Sequence, residues 1–156
     1  MSNLFATPAC RYFDDFYPCF NDDISGWDVS AVTNMSRMFQ SSSDFNQNLN
    51  RWDVSKVTDM SHMFVGASSF NGNISDWTVS AITDMSHMFE DAQSFNGEIG
   101  SWDVSAVTNM SYMFNQAISF NQDINCWDVS GVNDICGMFA GANSLRPLPI
   151  WWLTYW

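Results

Sequence analysis

Basic residues are scarce in this chain of 156 residues. Five lysines and arginines stand against 17 aspartates and glutamates, which leaves a net charge of -12. Nucleic acids and anionic membranes recruit proteins through surfaces rich in lysine and arginine, so the composition argues against both as partners. The same negative charge is compatible with binding of cations or of a basic protein. It is equally compatible with a surface whose charge repulsion keeps the protein soluble.

Long apolar runs are absent as well. No stretch of about 18 apolar residues occurs, so the sequence predicts no transmembrane helix and no membrane insertion. The N-terminus has no basic start followed by an apolar core, so no signal peptide is visible. No Ser-His-Asp set, paired-carboxylate cleft, phosphate loop or C-x-x-C motif occurs either. We therefore expect no catalytic activity and no cofactor.

The sequence instead contains five consecutive copies of a 25-residue repeat. The units cover residues 20–44, 45–69, 70–94, 95–119 and 120–144, and each carries phenylalanine, asparagine, tryptophan, valine, methionine and phenylalanine at fixed places. The tryptophan series comprises Trp27, Trp52, Trp77, Trp102 and Trp127, and Trp152 continues it. Self-similarity at such a period indicates coils that bury their apolar faces by stacking.

Each unit contains two periodicities. Apolar and polar residues alternate in W-D-V-S, which predicts a strand with one buried face. Met60, Met63, Phe64 and Ala67 lie at i, i+3, i+4 and i+7, which predicts a short helix, with Thr58 as its N-cap. The expected fold is an α/β solenoid of the leucine-rich-repeat kind. It has a parallel sheet on one face, short helices on the other, and five full repeats plus a sixth strand.

The run W-D-V-S-x-V-T-x-M-S-x-M-F-x-x-A-x-S-F-N, over roughly residues 20–145, resembles the BspA-like leucine-rich-repeat family of bacterial and protist surface proteins. The resemblance implies an extracellular or cell-surface location and a role in adhesion. It implies no particular mechanism. We therefore expect a non-catalytic module that binds a protein or a glycan.

The two ends depart from the repeat. Residues 1–19 predict a half repeat and a cap, because Met1-Ser2-Asn3-Leu4-Phe5 resembles M-S-x-M-F; residues 145–156 predict a sixth strand or a C-terminal cap. If the terminal strand stays open, the tail of one copy meets the head of the next and builds a filament. The residues that would form this contact are Met1, Phe5, Trp151, Trp152, Tyr155 and Trp156. A structural, self-assembling subunit is therefore the alternative function.

An acidic column is the candidate ligand face. The outward aspartates of W-D-V-S are Asp28, Asp53, Asp103 and Asp128, with Thr78 at the same place in the third unit. Neighbours about 4.8 Å apart repel by roughly 1 kcal/mol even in water. Either hydrogen bonds from Ser30, Ser55, Ser105 and Ser130 relieve this repulsion, or the column holds cations such as calcium.

Three further sets carry weaker signals. His62 and His87 recur at one place in consecutive units, either on an exposed surface or sharing a metal, for which no third ligand is apparent. The cysteines form Cys10–Cys19 and Cys126–Cys136 disulfides or stay reduced and buried. Sequons for glycosylation begin at Asn34, Asn73 and Asn109.

Overall fold

A computed structural model describes residues 20–155, so the predicted N-terminal half repeat and Trp156 lie outside the described residues. Within that range the one regular element is a 3-10 helix at Ile150–Tyr155. The only β-type pairing there is a single column of isolated parallel bridges, one residue wide. The bridges join Asn34 to Asp59, Asp59 to Asp84, Asp84 to Asn109 and Asn109 to Asp134.

The predicted α/β solenoid is therefore wrong. Residues 20–155 contain neither a parallel sheet nor a row of α-helices, so the chain is not built like a leucine-rich repeat. The repeats instead form 25-residue coils of successive tight turns, and backbone hydrogen bonds join each coil to the next. Met63 N–H donates to the Met60 carbonyl within one coil, and Met60 N–H donates to the Asp84 carbonyl of the following coil.

Backbone conformation explains why the helix does not form. His62 and Gly66 have φ values of 60° and 69°, in the left-handed region, whereas an α-helix needs φ near -63° throughout. Each left-handed residue turns its N–H toward the next coil, where the carbonyls of Ser86 and Glu90 accept it. The predicted N-cap fails with the helix, because the Thr58 hydroxyl donates to the Thr33 carbonyl instead.

The predicted strand is irregular backbone that leads into a turn, although its alternation of burial is confirmed. Trp52 and Val54 are 3% and 1% exposed, and Asp53 between them is exposed. Val57 N–H donates to the Val54 carbonyl, which closes a turn directly after the alternating residues. Alternation therefore reports which side chains face inward but does not specify a sheet.

Two columns of phenylalanine fill the centre of the stack. In one column Phe39 and Phe64 have ring centroids 5.3 Å apart, and in the other Phe45 and Phe70 are 5.9 Å apart. The columns contact each other closely, since Phe64 and Phe70 stack at 3.9 Å. All four rings are fully buried. Burial of such large side chains supplies the main driving force for stacking one coil on the next.

Polar ladders hold the coils in register. The indole Nε1–H of Trp77 donates to the Leu49 carbonyl at 2.9 Å, which satisfies both groups in a buried place. On the surface, the side-chain oxygen of Asn46 accepts the backbone N–H of Asn71 at 2.8 Å, 25 residues later. Buried polar groups need such partners, so a slip in register would leave them unpaired.

The tail does not form the predicted sixth strand. Ile150–Tyr155 is a 3-10 helix that lies across the last coil, and Trp152 packs edge-on against Phe139 with ring centroids 4.8 Å apart. Trp152 is only 9% exposed. Contact between copies through a free terminal strand therefore does not fit this arrangement. No helix of the described residues has the length and apolar character needed to cross a membrane.

Candidate functional site

The acidic column forms as the alternation predicts. Asp28, Asp53, Asp103 and Asp128 are all exposed, and Thr78 is exposed at the same place in the third coil. In each of the four coils the aspartate Oδ1 accepts the backbone N–H of the serine two residues later, at 3.0 to 3.1 Å. The structure thus shows the serine hydrogen bonds that the sequence offered as one way of relieving the repulsion.

These hydrogen bonds keep the column charged. The Ser105 hydroxyl donates to Asp103 Oδ1 at 2.7 Å, and this bond, together with the backbone N–H of Ser105, lowers the pKa of Asp103 below its usual value. Serine donors lower the pKa of Asp28 in the same way, while the neighbouring charge of Asp53 opposes the shift. The face therefore presents ionised carboxylates at neutral pH.

The described residues do not gather these carboxylates into a metal site. Among residues 20–155, no three histidine, cysteine, aspartate or glutamate side chains converge closely enough to hold an ion. Calcium prefers six to eight oxygen ligands around one point, whereas a column places its carboxylates side by side.

His62 and His87 do lie together, as a stacked pair. Their ring centroids are 4.4 Å apart, and Tyr112 continues the stack 5.0 Å beyond His87. His87 Nδ1 lies 2.7 Å from Glu90 Oε2, while His62 Nδ1 is buried without a hydrogen-bond partner. Ring-nitrogen lone pairs lie in the ring plane, so two stacked imidazoles direct them side by side and not toward one ion.

Desolvation lowers the pKa of His62, and electrostatic repulsion from His87 and Arg37 lowers it further. The imidazole of His62 is therefore harder to protonate in the folded chain than in the unfolded one. We therefore expect this site to make the stability of the chain depend on pH.

The cysteines that the structure describes are not bridged. Cys126 and Cys136 are both exposed and free, and the Cys136 thiol lies 4.0 Å from the Tyr112 hydroxyl, as a weak donor to it. That contact is the main cause that raises the pKa of Tyr112. Cys10 and Cys19 lie outside the described residues.

The three sequons adopt one local structure. In each, the asparagine Oδ1 accepts the backbone N–H of the serine two residues later. Asn34 uses its Nδ2 to donate to Asp59 Oδ2 at 2.9 Å, and Asn109 is half-buried. Asn34 and Asn73 are both exposed.

A cavity of about 510 Å³ opens at the C-terminal end of the stack. Ile135, Phe139, Leu148 and Trp152 supply most of its apolar lining, and Arg146 also lines it. This end is where a sixth coil would stack if the repeat continued. We call this cavity the end groove.

Two overlapping parts of the chain, residues 10–83 and 72–154, match the family model described as "Mycoplasma protein of unknown function, DUF285". The chain belongs to the DUF285 family. Together the matches include all five repeats and most of the tail of this DUF285 chain. No curated protein and no solved structure matches it.

Sequence reasoning missed the end groove of this DUF285 protein. The signal was present in the last repeat, which departs from M-S-x-M-F. Ile135 and Cys136 stand there in place of methionine and serine, and the small residues Gly137 and Gly141 follow. We interpreted the sequence beyond Leu145 as a strand in register, and a strand would have closed this space. Only the path of the 3-10 helix reveals the opening.

Proposed function

We propose that this chain is a non-catalytic module of the cell surface or the extracellular space, and that it binds a basic protein through its acidic column. The observation that carries the proposal is the exposure of Asp28, Asp53, Asp103 and Asp128 at one place of the repeat, interrupted only by Thr78. Several like charges along one side of the stack favour an extended partner with complementary charges.

The charge of the chain supports a protein partner over a glycan. A net charge of -12 attracts a basic protein surface over long range, whereas most neutral glycans gain nothing from it. The serine hydrogen bonds also hold each carboxylate in place before binding, which reduces the entropy lost on association. A glycan partner is therefore the second outcome of the test below.

The surface location rests on the repeat motif. Within the DUF285 family, we propose that this chain is of the BspA-like kind, because W-D-V-S-x-V-T-x-M-S-x-M-F recurs along residues 20–145 with few departures. The leucine-rich-repeat architecture does not follow from that motif. The role in surface interaction does not depend on that architecture, since the coils expose their polar columns in any case.

Surface plasmon resonance against an immobilised lysine-rich peptide tests the proposal, with a glycan array run in parallel. The variant Asp53→Asn/Asp103→Asn removes two charges from the column while its amide oxygens still accept the serine N–H groups. We expect this variant to bind the peptide about three- to ten-fold more weakly than the wild type, as two lost exposed ion pairs predict.

The matched control is Asp44→Asn/Asp91→Asn, which removes the same number of charges from exposed residues outside the column. It should bind almost as well as the wild type. Equal losses in the two double variants would show general charge attraction and contradict a site on the column. Binding to arrayed glycans, with no binding to the peptide, would assign the face to a glycan instead.

A further inference from the structure

The stack of coils is polar along its length. In the M-S-x-M-F part of each coil, alternate backbone N–H groups donate to carbonyls of the following coil. Tyr112 N–H donates to the Cys136 carbonyl at 2.8 Å, and Phe114 N–H donates to the Met138 carbonyl at 2.9 Å. In this part, each coil therefore offers donors toward the C-terminal end of the stack and acceptors toward the N-terminal end.

The fifth coil has the same donors, and no further coil follows it among the described residues. The N–H groups in question belong to Ile135, Gly137, Phe139 and Gly141, and none of them donates to an acceptor among residues 20–155. The end groove, about 510 Å³ in volume, lies beside them. A row of unpaired donors next to an apolar opening is the feature that sheet edges present when they recruit another chain.

The C-terminal 3-10 helix closes only part of this end. Trp152 packs against Phe139, so it takes the place of the next phenylalanine in that column. The place that would continue the column of Ile135 remains in the groove, and Leu148 on its wall is 37% exposed. The tail thus leaves an apolar opening beside Ile135.

The stack itself shows what fits such a face. Four times along the chain, an equivalent face is covered by the corresponding part of the next coil, which supplies carbonyls and, in three of the four cases, two buried methionines. Outside the five repeats the sequence contains one further segment of this kind, Met1-Ser2-Asn3-Leu4-Phe5. Met1 and Leu4 have the spacing of the two methionines.

The direction of these backbone hydrogen bonds determines which ends of two copies can meet. Two C-terminal ends placed together would face donors with donors, whereas a C-terminal end and an N-terminal end bring donors to acceptors. Such a contact is heterologous and, unless it closes into a ring, it propagates. We infer that the end groove docks the Met1–Phe5 segment of a second copy, so that copies of this chain associate head to tail.

Complementary variants test the inference. Leu148→Glu places a charge in the end groove, and Leu4→Asp places one in the docking segment. Each variant alone should stay monomeric in sedimentation velocity at concentrations where the wild type assembles. Mixed together, they should form a one-to-one heterodimer that grows no further, because one intact groove meets one intact segment. A two-fold symmetric contact would not be rescued by mixing.

The control is Leu153→Glu, a substitution of the same kind in the same 3-10 helix region. Leu153 is 69% exposed and does not line the groove. It should assemble like the wild type, whereas Leu148→Glu should weaken assembly by about ten-fold or more, the effect of losing one buried leucine. Equal weakening by both glutamates, or a wild type that stays monomeric at every concentration, overturns the inference.

The effect of salt distinguishes head-to-tail assembly from binding at the acidic column. Copies with a charge of -12 repel each other, so added sodium chloride should strengthen head-to-tail assembly. Binding of a basic protein to the acidic column should weaken under the same conditions. If the chain binds the lysine-rich peptide but never assembles, the proposed function stands and the head-to-tail contact is wrong. If the chain assembles but does not bind the peptide, the head-to-tail contact stands and the proposed function is wrong.

Discussion

The indole Nε1–H of Trp151 donates to the Ile124 carbonyl at 2.9 Å and ends the tryptophan ladder one residue earlier than the repeat predicts. In the preceding coils the same bond spans 28 residues, as from Trp127 to Ile99, whereas this one spans 27. The residue in register, Trp152, packs against Phe139 instead. The tail thus uses one tryptophan to complete the ladder and the other to cover the core.

Trp151→Phe should lower the free energy of unfolding by about 0.5–1.5 kcal/mol, the usual net value of one hydrogen bond. The loss stays moderate because the Ile124 carbonyl also accepts the Trp127 N–H. Urea unfolding followed by circular dichroism measures it. Leu153→Ala, at an exposed neighbour, is the control and should change stability little. An unchanged midpoint for Trp151→Phe would show that the ladder does not extend into the tail.

Gly72 should not tolerate a side chain. A Cβ atom there would lie 2.0 Å from the Gln47 carbonyl oxygen, a backbone group that cannot move without disturbing the coil before it. We expect Gly72→Ala to destabilise the chain by about 1–3 kcal/mol or more, as overpacking does. Thermal unfolding provides the measurement.

Gly26→Ala is the matched control for that substitution. Its Cβ would meet nothing within 4 Å, so its effect should stay within about 0.5 kcal/mol. Similar losses at both glycines would mean that the close approach of the second and third coils is not what requires glycine at residue 72.

Acidification should destabilise the chain through His62. Desolvation, His87 and Arg37 lower the pKa of His62 in the folded state, so the unfolded chain binds the proton more readily. Stability is therefore full above the unfolded pKa of about 6.5 and is lost as pH falls through it toward the lower folded pKa. Tm measured between about pH 8 and pH 5 should decline accordingly.

His62→Asn should flatten that decline. Asparagine does not titrate and tolerates the left-handed backbone that residue 62 adopts, so the fold can be kept while the titrating group is removed. If the variant shows the same slope of Tm against pH as the wild type, another group causes the acid sensitivity.

Ser105→Ala should raise the pKa of Asp103. The Ser105 hydroxyl is the largest cause of the lowered pKa, and alanine removes it while keeping the backbone N–H donor. NMR titration of the carboxyl group reports the shift. Ser80→Ala is the control, because Thr78 stands in its coil where an aspartate would accept the hydroxyl. A pKa of Asp103 that stays unchanged in Ser105→Ala would show that the backbone donor alone sets it.

The sequence by itself determined the period and the core of this protein. A 25-residue repeat of large apolar residues indicates which side chains are buried, and Met60, Met63, Phe64 and Ala67 are all fully buried as predicted. It also determined that Asp53 faces outward between Trp52 and Val54. Hydrophobic patterning reports the inner and outer faces of a coil, because burial of apolar surface is the term that it encodes.

Tertiary structure alone decided how the backbone connects those faces. A spacing of i, i+3, i+4 and i+7 suits an α-helix and also suits successive tight turns, and residues such as His62 carry no mark of a left-handed φ. The turns prevail because their N–H groups bond to the next coil, a partner that is absent from any single repeat. The end groove and the exchange of roles between Trp151 and Trp152 likewise depend on how the tail meets the last coil.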